Sequence, residues 1–168
     1  DNLSISANGA FAFPTSLPFQ AAYDVTVLTQ PSAPSETCSV TNGSGNVPAG
    51  DVTSVNITCT VDTFTVGGSV TGLRPGGDTV VLQNNGADTV TVLSDGSFAF
   101  ATTIAAGSTY DVSVAFQPMG QNCTVTNGSG TLAGANVSNV AVSCSDVPYT
   151  VGGLLSGLAP GDTVELQL

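Results

Sequence analysis

Apolar residues recur at every second position along most of this chain, and turn-forming Gly, Asn, Asp and Pro interrupt them every several residues. A period of two places one set of side chains inward and the other outward on a strand. Phe64, Val66, Val70 and Leu73 open one such stretch. After an Arg74-Pro75-Gly76-Gly77 turn comes Thr79-Val80-Val81-Leu82-Gln83, rich in β-branched residues. Asn84-Asn85-Gly86 predicts a hairpin, because Asn and Gly tolerate the positive φ that tight hairpin turns require. Val90 and Val92 then alternate with threonines, and Asp95-Gly96 turns the chain. Phe98 and Phe100 follow, and beyond an Ala106-Gly107 bend Tyr110, Val112, Val114 and Phe116 hold alternate positions. Cys123 and Val125 share one parity, as do Val140, Val142 and Cys144, so both cysteines are expected to face inward. Asn127-Gly128-Ser129-Gly130 and Gly134 turn the chain between them. No stretch has convincing helical period.

The pattern also repeats at long range. Residues 1–59 match 88–144, and 64–83 match 149–167; Asn42-Gly43-Ser44-Gly45 returns as Asn127-Gly128-Ser129-Gly130. A fixed period of about 85 residues marks an array of small modules. The divisions expected are 1–61, the C-terminal part of a repeat without its first strands; 62–146, a complete repeat; and 147–168, the first strands of the next. Head and tail together make about one further repeat. Two arrangements fit: one long tandem chain, or a polymer in which the tail of one subunit completes the head of its neighbour.

Modules this small commonly need a covalent staple. Cys38 and Cys59 have the same separation as Cys123 and Cys144, so one local disulfide per repeat is expected, Cys38–Cys59 and Cys123–Cys144. The chain has no histidine and no closely spaced cysteine pair, which weighs against structural zinc. Disulfides imply an oxidising site, extracellular or at the cell surface.

Charge narrows the function further. Twelve acidic residues face one basic residue, Arg74, for a net charge of -11, which disfavours nucleic acid and anionic membrane surfaces as partners. No apolar run is long enough to span a membrane. Without histidine or lysine the commonest general bases are missing, so an enzyme is not expected. Asp24 and Asp111, Asp78 and Asp162, and Asp95 all recur or sit where acids favour turns. No cofactor is expected. Calcium is the one ion worth weighing, with Asp62 and Asp146 at repeat junctions and Asp78 and Asp162 in turns as weak candidate ligands. Glycosylation acceptor patterns occur at Asn2, Asn42, Asn56, Asn127 and Asn136; Asn42 and Asn127, in exposed turns, are the candidates, and turn formation alone also explains them.

The segments Gly67-Gly68-Ser69-Val70, Asp95-Gly96-Ser97-Phe98-Ala99-Phe100 and Ala106-Gly107-Ser108-Thr109-Tyr110-Asp111-Val112-Ser113-Val114 resemble the carboxypeptidase-regulatory-like and related Ig-like repeats of large bacterial secreted or surface proteins. Gln117-Pro118 and the closing cysteine fit the same likeness, which covers the whole chain. It implies a spacer, stalk or fibre module and transfers no catalytic residue. The expected architecture is therefore all-β: tandem Ig-like β-sandwich repeats, about seven strands and one disulfide each. The expected function is a building unit of an extracellular filament whose partners are copies of itself, end to end. The alternative is the stalk of an adhesin that binds a carbohydrate or protein. Phe11, Phe13 and Tyr23, like Phe98, Phe100 and Tyr110, carry inward parity; Phe19 is the lone aromatic suited to a surface contact.

Overall fold

A computed structural model describes every residue of the chain except Gly77, so the last residue of the expected Arg74–Gly77 turn lies outside the described residues. The protein is all-β, and no helix occurs among the described residues. Its strands are β1 (Ala22–Asp24), β2 (Glu36–Thr41), β3 (Ser44–Asn46), β4 (Asn56–Val61), β5 (Thr63–Phe64), β6 (Val66–Thr71), β7 (Val80–Asn84), β8 (Asp88–Val92), β9 (Gly96–Ala99), β10 (Ile104–Ala105), β11 (Thr109–Phe116), β12 (Gln121–Thr126), β13 (Ser129–Thr131) and β14 (Val137–Asp146).

From β5 onward the strands build two four-stranded sheets, ordered β13-β11-β7-β8 and β12-β14-β6-β9, with a short β5–β10 pair beside them. This is more than the seven strands that the alternation suggests, because short pieces such as β10 and β13 pair separately. Both sheets contribute to one apolar core: Val66, Val70, Phe98, Val140 and Val142 from one, Val80, Leu82, Val92, Tyr110 and Val112 from the other. Every neighbouring pair is antiparallel except β14 and β6, which run parallel from Val137↔Val66 to Ser143↔Thr71. The incoming end of β6 and the outgoing end of β14 therefore lie at opposite poles.

Gly68 explains why small residues open β6. It is buried against β14 where that ladder shifts register, and a Cβ there would fall on the carbonyl of Val140. Tyr110 explains the recurrent Asn-Gly-Ser-Gly segment, because its ring covers its cross-strand partner Gly130 and leaves no room for a side chain. Asn127, at φ 55°, makes the left-handed turn before it, and Asn85 and Gly86 do the same in the β7–β8 hairpin at φ 51° and 70°.

Phe116 departs from the expected parity. The β11–β7 ladder slips between Val114 and Phe116, so the ring faces solvent at 64% exposure. The disulfide Cys123–Cys144 joins residues directly opposite in the β12–β14 ladder, and Cys38–Cys59 does the same between β2 and β4. Such cross-links point to an oxidising folding environment.

Removing Leu82, which is fully buried, tests the location of the core. Leu82→Ala should destabilise the chain by about 2–5 kcal/mol in urea unfolding of dilute protein. Its repeat counterpart Leu166 is 84% exposed. Leu166→Ala should stay within about 0.5 kcal/mol of wild type.

Candidate functional site

The most distinctive region of the molecule is its first 61 residues. They reproduce the latter part of the complete module in detail while two central strands have no counterpart in place. β1 pairs β3 as β11 pairs β13, and Tyr23 covers Gly45 as Tyr110 covers Gly130. β2 pairs β4 as β12 pairs β14. The Gln30 side chain clamps the backbone of Cys38, accepting from its N–H at 2.7 Å and donating to its carbonyl at 3.0 Å. Gln117 clamps Cys123 in the same way, at 2.7 and 2.9 Å. The recurrent Gln-Pro pair was the only trace of this clamp in the sequence.

The two half-sheets remain separate two-stranded pairs. Between them lies an open depression of about 350 Å³ lined by Val25, Val27, Cys38 and Val40. Their counterparts Val112, Val114, Cys123 and Val125 lie in or against the core of the complete module. Residues 1–21 and 147–168 contain no strand. Phe13, expected to point inward like Phe100, is 36% exposed, because the strand it would pack beneath is not there. Phe19, the candidate for a surface contact, is exposed, as is nearly all of residues 1–21.

The tail shows the complementary defect. Val151, Leu155, Val164 and Leu166 are exposed, whereas Val66, Val70, Val80 and Leu82 at the matching repeat positions are wholly buried. Head and tail thus both expose apolar residues whose counterparts are buried in the core of residues 62–146. Exposed apolar residues on open strand edges are a pairing hazard for any soluble chain.

Head and complete module meet at a polar hinge. Asp62 accepts hydrogen bonds from the hydroxyls of Ser35 (2.6 Å) and Thr37 (2.7 Å), and its carbonyl accepts from Ala106 N–H at 2.8 Å. Pro34 and Ser35 stand so near Gly107 and Gly134 that a Cβ on either glycine would lie 3.4 Å away. The four candidate calcium ligands do not converge on one another as a cage. Asp62 is engaged by hydroxyls, and Asp78 and Asp146 flank the guanidinium of Arg74 at 3.4 and 2.7 Å. Asp162 lies in the exposed tail. Among the described residues the single group of clustered ligand atoms is Glu36 with Cys38 and Cys59, and those two sulfurs are bonded to each other.

The remaining acids have structural duties or lie in solvent. Asp95 accepts from the N–H groups of Gly72 (3.0 Å) and Leu73 (2.8 Å), fixing the turn after β6. The candidate glycosylation residues Asn42 and Asn127 have positive φ, and their amide nitrogens donate to the carbonyls of Ser54 and Asn139 at 3.1 and 3.3 Å. Each amide thus ties its turn to backbone twelve residues further along the chain. No protein-family model matches the chain, and no curated protein matches it.

Hydrogen bonds from Ser35 first and Thr37 second hold the Asp62 carboxyl below its ordinary value of 3.8. The charged form is the one favoured at the hinge, so its contribution is present above pH 3.8 and is lost as pH falls through the lowered value. A carboxyl NMR titration should place the Asp62 midpoint below 3.8, and Ser35→Ala should move it upward.

Proposed function

We propose that the protein is a structural unit of an extracellular filament made of tandem Ig-like β-sandwich modules. The single observation that carries this reading is the matched pair of defects: an open half-module at one pole and an unburied, sequence-equivalent strand segment at the other. Two sheets closing on one core support a sandwich of the Ig-like, carboxypeptidase-regulatory-like type. Disulfides and a lysine-free chain with few charged residues suit a durable assembly outside the cell.

The parallel β14–β6 pairing supports an end-to-end array, since each complete module receives the chain at one pole and releases it at the other. The hinge at Asp62, with its short passage from β4 to β5, favours a stiff succession of modules over beads on a flexible string. The adhesin alternative would gain from clustered surface aromatics; Phe19 and Phe116, both exposed, belong to different modules.

Electron microscopy of the native material or of concentrated protein tests the reading. β14, with ten residues, spans about 33 Å, so a filament advancing two modules per chain should show an axial repeat of roughly 60–70 Å. Discrete globular particles at every concentration would argue against a filament.

A further inference from the structure

We propose that residues 149–167 of a second copy of this chain complete the 1–61 head, entering as the central strand of both of its sheets; this rests on the filament reading and names its joint. In the complete module β6 lies between β14 and β9, and β7 lies between β11 and β8. Removing such a pair leaves four strands as two isolated pairs and strips the partners from the other two. That is the state of the head: β1–β3 and β2–β4 persist, and 1–13, the counterpart of β8 and β9, forms no strand.

The repeat fixes the register of the joint. Transposing the β14–β6 ladder pairs Val55 with Gly153, Asn56 with Leu154 and Ile57 with Leu155 of the second copy. Transposing β6–β9 sets Gly153 against Phe11 and Leu155 against Gly9. Transposing β7–β8 sets Val164 against Ile5 and Leu166 against Leu3, and transposing β11–β7 sets Leu166 against Val27. All the tail residues that this arrangement turns inward are apolar: Val151, Leu155, Leu158, Val164 and Leu166. The polar change Val81 to Glu165 falls at a position that is only half-buried in the complete module. Leu3, Ile5, Leu17, Val55 and Ile57, more exposed in the head than their counterparts, would gain cover from the same event.

Two details in the tail have no use in an isolated chain. Gly152 and Gly153 have nothing near a would-be Cβ, yet their counterparts Gly67 and Gly68 are required by close backbone approaches. Gly157 holds φ 81°, matching Gly72 at 78°, and Asp162 N–H donates to Ala159 O at 3.1 Å, so the turn between the two donated strands is already formed.

The tail cannot reach the head of its own chain. In the transposed register Tyr149 starts at the Val52 end of the head, the end away from the hinge, whereas Asp146 leaves the far pole of the complete module. β14 alone spans about 33 Å of that separation. The two residues between Asp146 and Tyr149 reach about 10 Å. A neighbour placed end to end has its head where the tail emerges. Each chain is then both donor and acceptor, and the assembly is a polar, non-closing polymer.

The test uses the 168-residue protein and two variants. Gly153→Leu meets open space in the single chain and would collide with the Val55 carbonyl of a neighbour. Wild type should sediment as growing oligomers with rising concentration, whereas G153L should remain monomeric with an unchanged unfolding midpoint for the complete module. Separately, Asn56→Cys with Leu154→Cys should give a reductant-sensitive ladder on a denaturing gel, and the shifted pair Asn56→Cys with Leu155→Cys should not. Filaments that form undiminished in G153L, or without the in-register ladder, would overturn the strand donation and leave the filament reading standing. A wild-type protein that stays monomeric at all concentrations would overturn the donation as well, while filaments in the native material would then point to a continuous chain.

Discussion

The whole structure depends on the position of two strands. β6 and β7 are each flanked on both sides by other strands, so each supplies hydrogen bonds to two neighbours and an inner face to a shared core. A strand at a sheet edge can be lost with one ladder; a central strand takes two with it. In the head, where no such strands are in place, local features survive and long-range ones do not. The Cys38–Cys59 bridge, the glutamine clamp at Cys38 and the Tyr23–Gly45 contact all persist, because each is held within a hairpin or between adjacent strands. What is missing is cooperative closure of the two layers, and with it the burial of Phe13 and Ile5.

The strands themselves were largely legible, since period-two alternation and turn chemistry are local signals. The inward parity of Cys123, Val140, Val142 and Cys144 emerges as expected, because β12 and β14 run without slippage across that span. Phe116 illustrates where local reasoning stops. Its parity matches Tyr110 and Val112, and only the register slip against β7 turns it outward. Parallel pairing of β14 with β6 was also invisible, because it joins residues far apart in the chain and leaves no periodic mark. The hinge was half visible: an aspartate at the repeat boundary stood out, but its hydroxyl partners Ser35 and Thr37 did not. For such acids the sequence favoured turn capping, with calcium a weak alternative; the ion pairs of Arg74 with Asp78 and Asp146 left no mark in it.

Charge plays a quieter part than the composition implies. With one guanidinium against twelve carboxylates, attraction between modules cannot rest on ion pairs, and exposed pairs contribute about 0–1 kcal/mol at best. In the proposed array, cohesion would come from apolar burial and backbone pairing, which are far less sensitive to salt.

The parallel alignment of β6 and β14 has a mechanical meaning. In the proposed filament, tension would enter a complete module at the start of β6 and leave at the end of β14, pulling the two neighbours in opposite directions along their length. Their shared ladder is loaded in shear, with all its hydrogen bonds resisting together, where an antiparallel hairpin pulled from its open end would unzip one bond at a time. The Cys123–Cys144 link ties β14 to β12 beside that ladder, so the outgoing strand cannot slide without dragging its covalent neighbour. Resistance to stretching is thus built into strand order.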